Sequence, residues 1–112
     1  MVVVDHHPAV GAELHALPTA ERVAMDRAVD KLELLGAQLP FPHQSSVRGA
    51  RGIRELRPRA GRSPWRGFYG QIGPDRFVLV AIGPEALVDP KGFSRAVEAA
   101  GARLREIKPE VT

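Results

Sequence analysis

A change of hydrophobic period partway along the chain does most to restrict what it can fold into. From Thr19 to Leu35, apolar residues recur three or four positions apart at Met25, Ala28, Val29, Leu32 and Leu35. Asp26, Arg27, Asp30 and Lys31 fall largely off that stripe. This is the pattern of an amphipathic helix with one buried face. Thr19 is placed as its N-cap, and Glu21 lies in the first turn, where the helix dipole favours a carboxylate. Gly36 is placed to end the helix, and Pro40 and Pro42 prevent it from resuming. Beyond them the period shortens. Gly52–Arg57 alternates imperfectly, Trp65–Ile72 is rich in aromatics, and "FVLVAI" within Arg76–Ile82 reads as the strongest strand. Helical period followed by strand period calls for helices packed against a sheet.

The remaining segments complete the pattern. Met1–Val4 is a β-branched run and reads as a first strand. Ala9–Leu17 sets Val10, Leu14 and Leu17 at helical spacing, with Gly11 weakening the segment. "PRAGRSP" reads as a turn or mobile loop, and "GPD" at 73–75 joins two strands of a meander. Gly83-Pro84 stops the last strand. A final helix is expected over Pro90–Ile107, burying Phe93, Ala96, Val97, Ala100 and Leu104. The expectation is an α+β fold of order β-α-α-β-β-β-α: a small twisted antiparallel sheet packed against an N-terminal helical hairpin, with a C-terminal helix. One sheet face is expected to stay partly open. At 112 residues, the chain reads as a single domain over 1–112.

Without cysteine there is no disulfide framework and no thiolate zinc site. No apolar run approaches membrane-spanning length and no signal-like segment opens the chain, so it reads as cytoplasmic. No cofactor is expected. Asp5, His6 and His7 read as a solvated strand end, because adjacent histidines rarely ligate one ion, and no metal site is expected.

The net charge of +3 is unevenly spread. Residues 1–42 carry six acids and three bases, and residues 67–112 carry six of each. Residues 43–66 hold seven arginines against one acid, Glu55. Such a local basic patch is the footprint of a protein that holds a polyanion. On a strand, Glu55 and Arg57 point to one face while Arg54 and Leu56 point to the other. With Leu56 toward the helices, Glu55 and Arg57 are expected on the open side. Arg66 shares a face with Phe68 on the next strand, and hairpin pairing places Arg57 and Arg66 about 5 Å apart. Two guanidinium groups that close repel unless an anion lies between them. Phosphate fits their planar donors, or Glu55 neutralises one of them. Phe68 or Tyr69 could stack a base beside them, while Trp65 is expected in the core.

The series "LELLGAQLPFP", "VRGARGIRELRP", "WRGFYG", a hydrophobic strand and then "SRAVEAAGARLRE" resembles the RelE/ParE toxin superfamily, closest to its HigB-like, phage-derived branch. The likeness spans roughly residues 28 to 105. It implies a type II toxin that cleaves messenger RNA on the translating ribosome and is held inactive by a cognate antitoxin, expected to be a helix-turn-helix protein. By the same likeness, Arg57, Arg66 and Tyr69 are the expected catalytic residues, with Arg66 on the scissile phosphate. Arg48, Arg51, Arg54, Arg59, Arg62 and Lys91 are expected to contact RNA.

Two features depart from the family pattern. Arg54 stands where an aromatic is usual, and "AIGPEALVDPKGF" carries no lysine before Lys91, where the family commonly has a lysine pair. Cleavage without metal needs cationic stabilisation plus a base and an acid. Arginine is a poor base, which leaves Glu55 and His43, besides Tyr69 and Lys91, as acid/base candidates. A ParE-like gyrase inhibitor and an RNA-binding member without strong catalysis are the alternatives.

Overall fold

The computed structural model describes residues 1–108. Strand β1 (Val3–His6) leads through a short helix α1 (Val10–His15) into α2 (Thr19–Leu35). Then follow β2 (Gln44–Ser46), β3 (Arg54–Leu56), β4 (Trp65–Gly73), β5 (Arg76–Pro84) and α3 (Pro90–Ile107). The five strands form one sheet in the order β1-β5-β4-β3-β2. The α+β architecture matches the reading of the sequence, and α2 and α3 have the expected bounds. The meander is extended on both sides. The polar edge strand β2 pairs antiparallel with β3, and β1 pairs parallel with β5, so the sheet is mixed.

Helix α2 begins one residue earlier in capping terms than the sequence suggested. Extended Pro18 takes the N-cap position, and its carbonyl accepts from the amides of Glu21 and Arg22 at 2.9 and 3.0 Å. Thr19 is therefore the first helical residue. Gly36, with φ of 56°, closes the helix in a conformation that disfavours a side chain. At the start of α3, Asp89 accepts from the Gly92 amide at 2.9 Å, and Pro90 occupies the first turn, where no amide is needed.

The two helices cover opposite faces. On one, Met25, Ala28, Val29 and Leu32 of α2 meet Leu56, Tyr69, Phe77 and Leu79. On the other, Ala96, Ala100 and Leu104 of α3 meet Phe68, Val78, Val80 and Ala81. Each fully buried large side chain contributes about 1.5–3 kcal/mol by removal from water. The face expected to be open is thus closed over β4 and β5. Gly83 makes this possible: a Cβ there would collide with that of Ala96, so bare backbone lets the helix lie close.

Candidate nucleic-acid interface

The hairpin register sets the faces of the arginine-bearing strands. Glu55 pairs with Phe68, Leu56 with Gly67 and Arg54 with Tyr69. Leu56 and Tyr69 lie in the core under α2, while Phe68 meets Phe93 of α3 edge to face at 5.5 Å. Glu55 and Arg66 therefore begin on the α3 side of the sheet, while Arg57, just past the end of β3, lines a groove against α2.

Arg57 and Arg66 do converge, but on a carboxylate. Glu55 Oε1 accepts from Arg66 Nε at 2.9 Å and from Arg57 Nη1 at 3.2 Å. Arg66 is 2% exposed, and its remaining donors are also taken. Nη1 donates to the carbonyls of Ser63 (2.6 Å) and Trp65 (3.0 Å). Nη2 donates to Glu85 Oε2 (3.1 Å) and the Gly61 carbonyl (3.4 Å). A guanidinium has five N–H donors, and all five of Arg66 are occupied. In this structure none of its donors is left free for the phosphate contact expected of it. Glu85, in the stretch between strand and helix where the family pattern has lysines, takes one of the five.

Arg57 is different. Its Nε donates to the Pro42 carbonyl at 3.1 Å and one Nη1 proton goes to Glu55. Of its five donors three remain, two of them on Nη2. The guanidinium lies 5.4 Å from the ring centroid of Phe41, which is 70% exposed. On its other flank is Gly61 at φ of 94°, where a Cβ would sit 2.8 Å from Nη2. Glu55 also supplies charge balance, so Arg57 stands fixed and half-exposed.

The loop that precedes β4 is ordered, not slack. Arg59 and Ala60 both adopt left-handed backbone, with φ of 55° and 54°. Glu21 of α2 holds this turn, accepting from Arg59 Nη1 and from Ser63 Oγ at 2.7 Å each. Those two hydrogen bonds, Arg59 first, keep the Glu21 carboxyl below the usual carboxylate range.

Tyr69 is separated from this cluster. It is buried on the α2 side, edge to face with Phe77 at 5.7 Å. Burial raises its phenol pKa, opposed in part by nearby Arg54. It neither reaches the Glu55 carboxylate nor offers an open stacking surface, and Phe68 is likewise buried. His43 lines the same groove as Arg57 and Arg59. Arg54 donates to Gln44 Oε1 at 2.7 Å. Arg48, Arg51 and Arg62 are exposed, as is Lys91 in the first turn of α3. The side chains of Arg48, Arg51, Arg62 and Lys91 make no hydrogen bond among the described residues. Trp65 is partly buried against the core, near its expected place. Sequence reasoning missed Glu85, Phe41 and Gly61. Only Gly61, within a Pro- and Gly-bounded turn, carried a local signal.

His7 bonds Glu106 at 3.2 Å, and no metal-binding cluster of histidines and carboxylates occurs among the described residues. No helix among them is long and apolar enough to cross a membrane.

No curated protein is a significant match to the chain. Among solved structures, the isolated E. coli RelE toxin matches with a TM-score of 0.59 at 14% identity, over 85% of this chain and 98% of that one. Residues 12–83 match the family described as Phage derived protein Gp49-like (DUF891), a span that takes in the α2 helix, the arginine-rich strands and β5. The chain belongs to that phage-derived, Gp49-like family and has the RelE fold.

Proposed function

We propose that the protein is the toxin of a type II toxin–antitoxin system and acts as a metal-independent endoribonuclease on messenger RNA at the ribosome. The observation that carries the reading is Arg57. It alone of the converging pair keeps free donors, and Glu55 and Phe41 hold it at the surface of the arginine-rich strip. Arg57 meets the scissile phosphate. Arg66 is a positioning residue: it fixes Glu55, and through it Arg57. Arg48, Arg51, Arg54, Arg59, Arg62 and Lys91 supply the field that draws the RNA backbone. Glu55, 3.2 Å from Arg57, and His43, lining the same groove, are the acid/base candidates beside it. A cognate antitoxin keeps the protein silent in the cell.

The experiment is induction of the chain without its antitoxin, followed by mapping of RNA 5′ ends. Growth arrest with cuts confined to translated messages supports the reading. Intact messages with a DNA-damage response would replace it with the gyrase-directed one. One observation favours that second reading: Arg66 is saturated and Tyr69 buried, which leaves few acid–base groups for strand scission.

A further inference from the structure

Among the described residues, Phe41 is the one aromatic in the set of large apolar side chains left exposed, and it belongs to neither core cluster. Its loop is nonetheless tied down. Gln44 Nε2 donates to the Leu39 carbonyl at 2.9 Å, which bridges the two ends of the segment. The His43 amide donates to the Pro40 carbonyl and the Arg57 amide to the His43 carbonyl, at 2.9 Å each. Arg57 Nε donates to the Pro42 carbonyl at 3.1 Å. Pro40 and Pro42 restrict the backbone on either side of Phe41. The Arg57 guanidinium lies over one face of the ring, 5.4 Å from its centroid, and the other face is left to solvent. A large ring held outward on a fixed loop adds nothing to the core and is already ordered for a ligand.

We infer that Phe41 is a base-stacking platform: the open face of its ring takes the base of an unpaired nucleotide whose neighbouring phosphate is held by Arg57. The inference rests on the RNA-directed function proposed above and names the element of that site that binds the nucleotide. Every base has a π-face, so the contact tolerates any sequence. It does not tolerate pairing, since a base stacked inside a duplex has no face to offer. Phe68 and Tyr69, the aromatics nearest the arginines in β4, are buried and cannot serve. Charge favours a polyanion over a protein as the occupant. Residues 43–66 carry seven arginines against Glu55, and Arg57 keeps free donors beside the ring. A protein anchor sinks its ring into a pocket, whereas a ring with a cation on one face and solvent on the other presents one flat surface, the shape of a base.

The test adds the full chain at low salt to fluorescein-labelled 2′-O-methyl hexauridine, which has no 2′-hydroxyl to attack its own phosphate. A fully abasic hexamer is the comparator, and binding is read by anisotropy. Phe41→Ala, Phe41→Leu and Phe41→Trp are each checked for native circular dichroism. Phe41→Ala and Phe41→Leu should weaken hexauridine binding by about fivefold to hundredfold, the range for one lost stack, and leave abasic binding unchanged. Phe41→Trp should bind as the parent does and show a fluorescence quench that the parent, with Trp65 alone, does not. Absence of hexauridine binding, Phe41→Leu binding as well as the parent, or equal losses on both hexamers would overturn the inference; in the last case the ring serves only to place Arg57. Unchanged hexauridine binding with a weakened hold on the cognate antitoxin would overturn it in favour of a protein contact. Arg57→Ala separates this inference from the function on which it rests. If that variant loses hexauridine binding and Phe41→Ala does not, the stack is refuted and the RNA-directed function stands; if neither variant matters, both fall.

Discussion

Arg57 and Arg66 share one oxygen atom, Oε1 of Glu55, at 3.2 and 2.9 Å. The same contact has different meanings at its two ends. At the Arg66 end it completes a buried set of five donors; at the Arg57 end it anchors a guanidinium that still faces outward.

Arg66→Ala should therefore be a stability mutation. It removes a buried cation facing two carboxylates, a change that costs about 3–5 kcal/mol when one partner of a buried pair is lost. The urea midpoint should fall steeply. Arg66→Lys should rescue little, because an ammonium lacks the planar fork that reaches Glu55, Glu85 and three carbonyls together.

Arg57→Ala should separate activity from folding. Its pair with Glu55 is part-exposed, and such pairs contribute about 1 kcal/mol or less. The urea midpoint should move little while growth arrest and message cleavage are lost. A large shift in the midpoint would show that Arg57 is part of the structural network instead.

Gly61→Ala should resemble Arg57→Ala in activity, since the new Cβ displaces the Arg57 guanidinium. It also strains a backbone held at φ of 94°. Ala60→Gly makes the contrasting test. It relieves a left-handed alanine and should raise stability by about 0.5–1 kcal/mol, readable in thermal unfolding.

The pH response has two arms. Glu21 has a depressed pKa in the fold, so its contribution is present above the unfolded carboxylate value of about 4.3 and is lost as pH falls through the folded value. Glu21→Gln should flatten that acid limb. Tyr69 has a raised pKa, so its contribution is present below the unfolded value of about 10 and is lost as pH rises toward the folded one. It is the chain's one tyrosine. Tyrosinate absorbance should therefore appear later in the native protein than in urea, and coincident titrations would refute the burial of its hydroxyl.

The helices were legible because their apolar residues repeat at a period no strand shares, and because Gly36 and Pro90 punctuate them. Strand β2 was not, since Gln44, Ser45 and Ser46 carry no apolar alternation and owe their conformation to pairing with β3. The parallel partnership of β1 and β5 joins segments some seventy residues apart, which no local pattern encodes. In the candidate site, strand alternation was enough to put Glu55 and Arg66 together. The fate of Arg66 was hidden because Glu85, nineteen residues further on, reaches it only after β5 folds back along β4. The burial of Tyr69 was hidden for a simpler reason: its register partner is Arg54, which places it beneath α2.

That parallel pairing also governs how the molecule comes into being. The opening strand has no neighbour until β5 has been synthesised, and β5 separates β1 from every other strand. A nascent or truncated polypeptide ending before Arg76 lacks the strand that ties β1 to the rest of the sheet. Premature termination should thus yield fragments for the cell's proteases, never a partly folded product that persists.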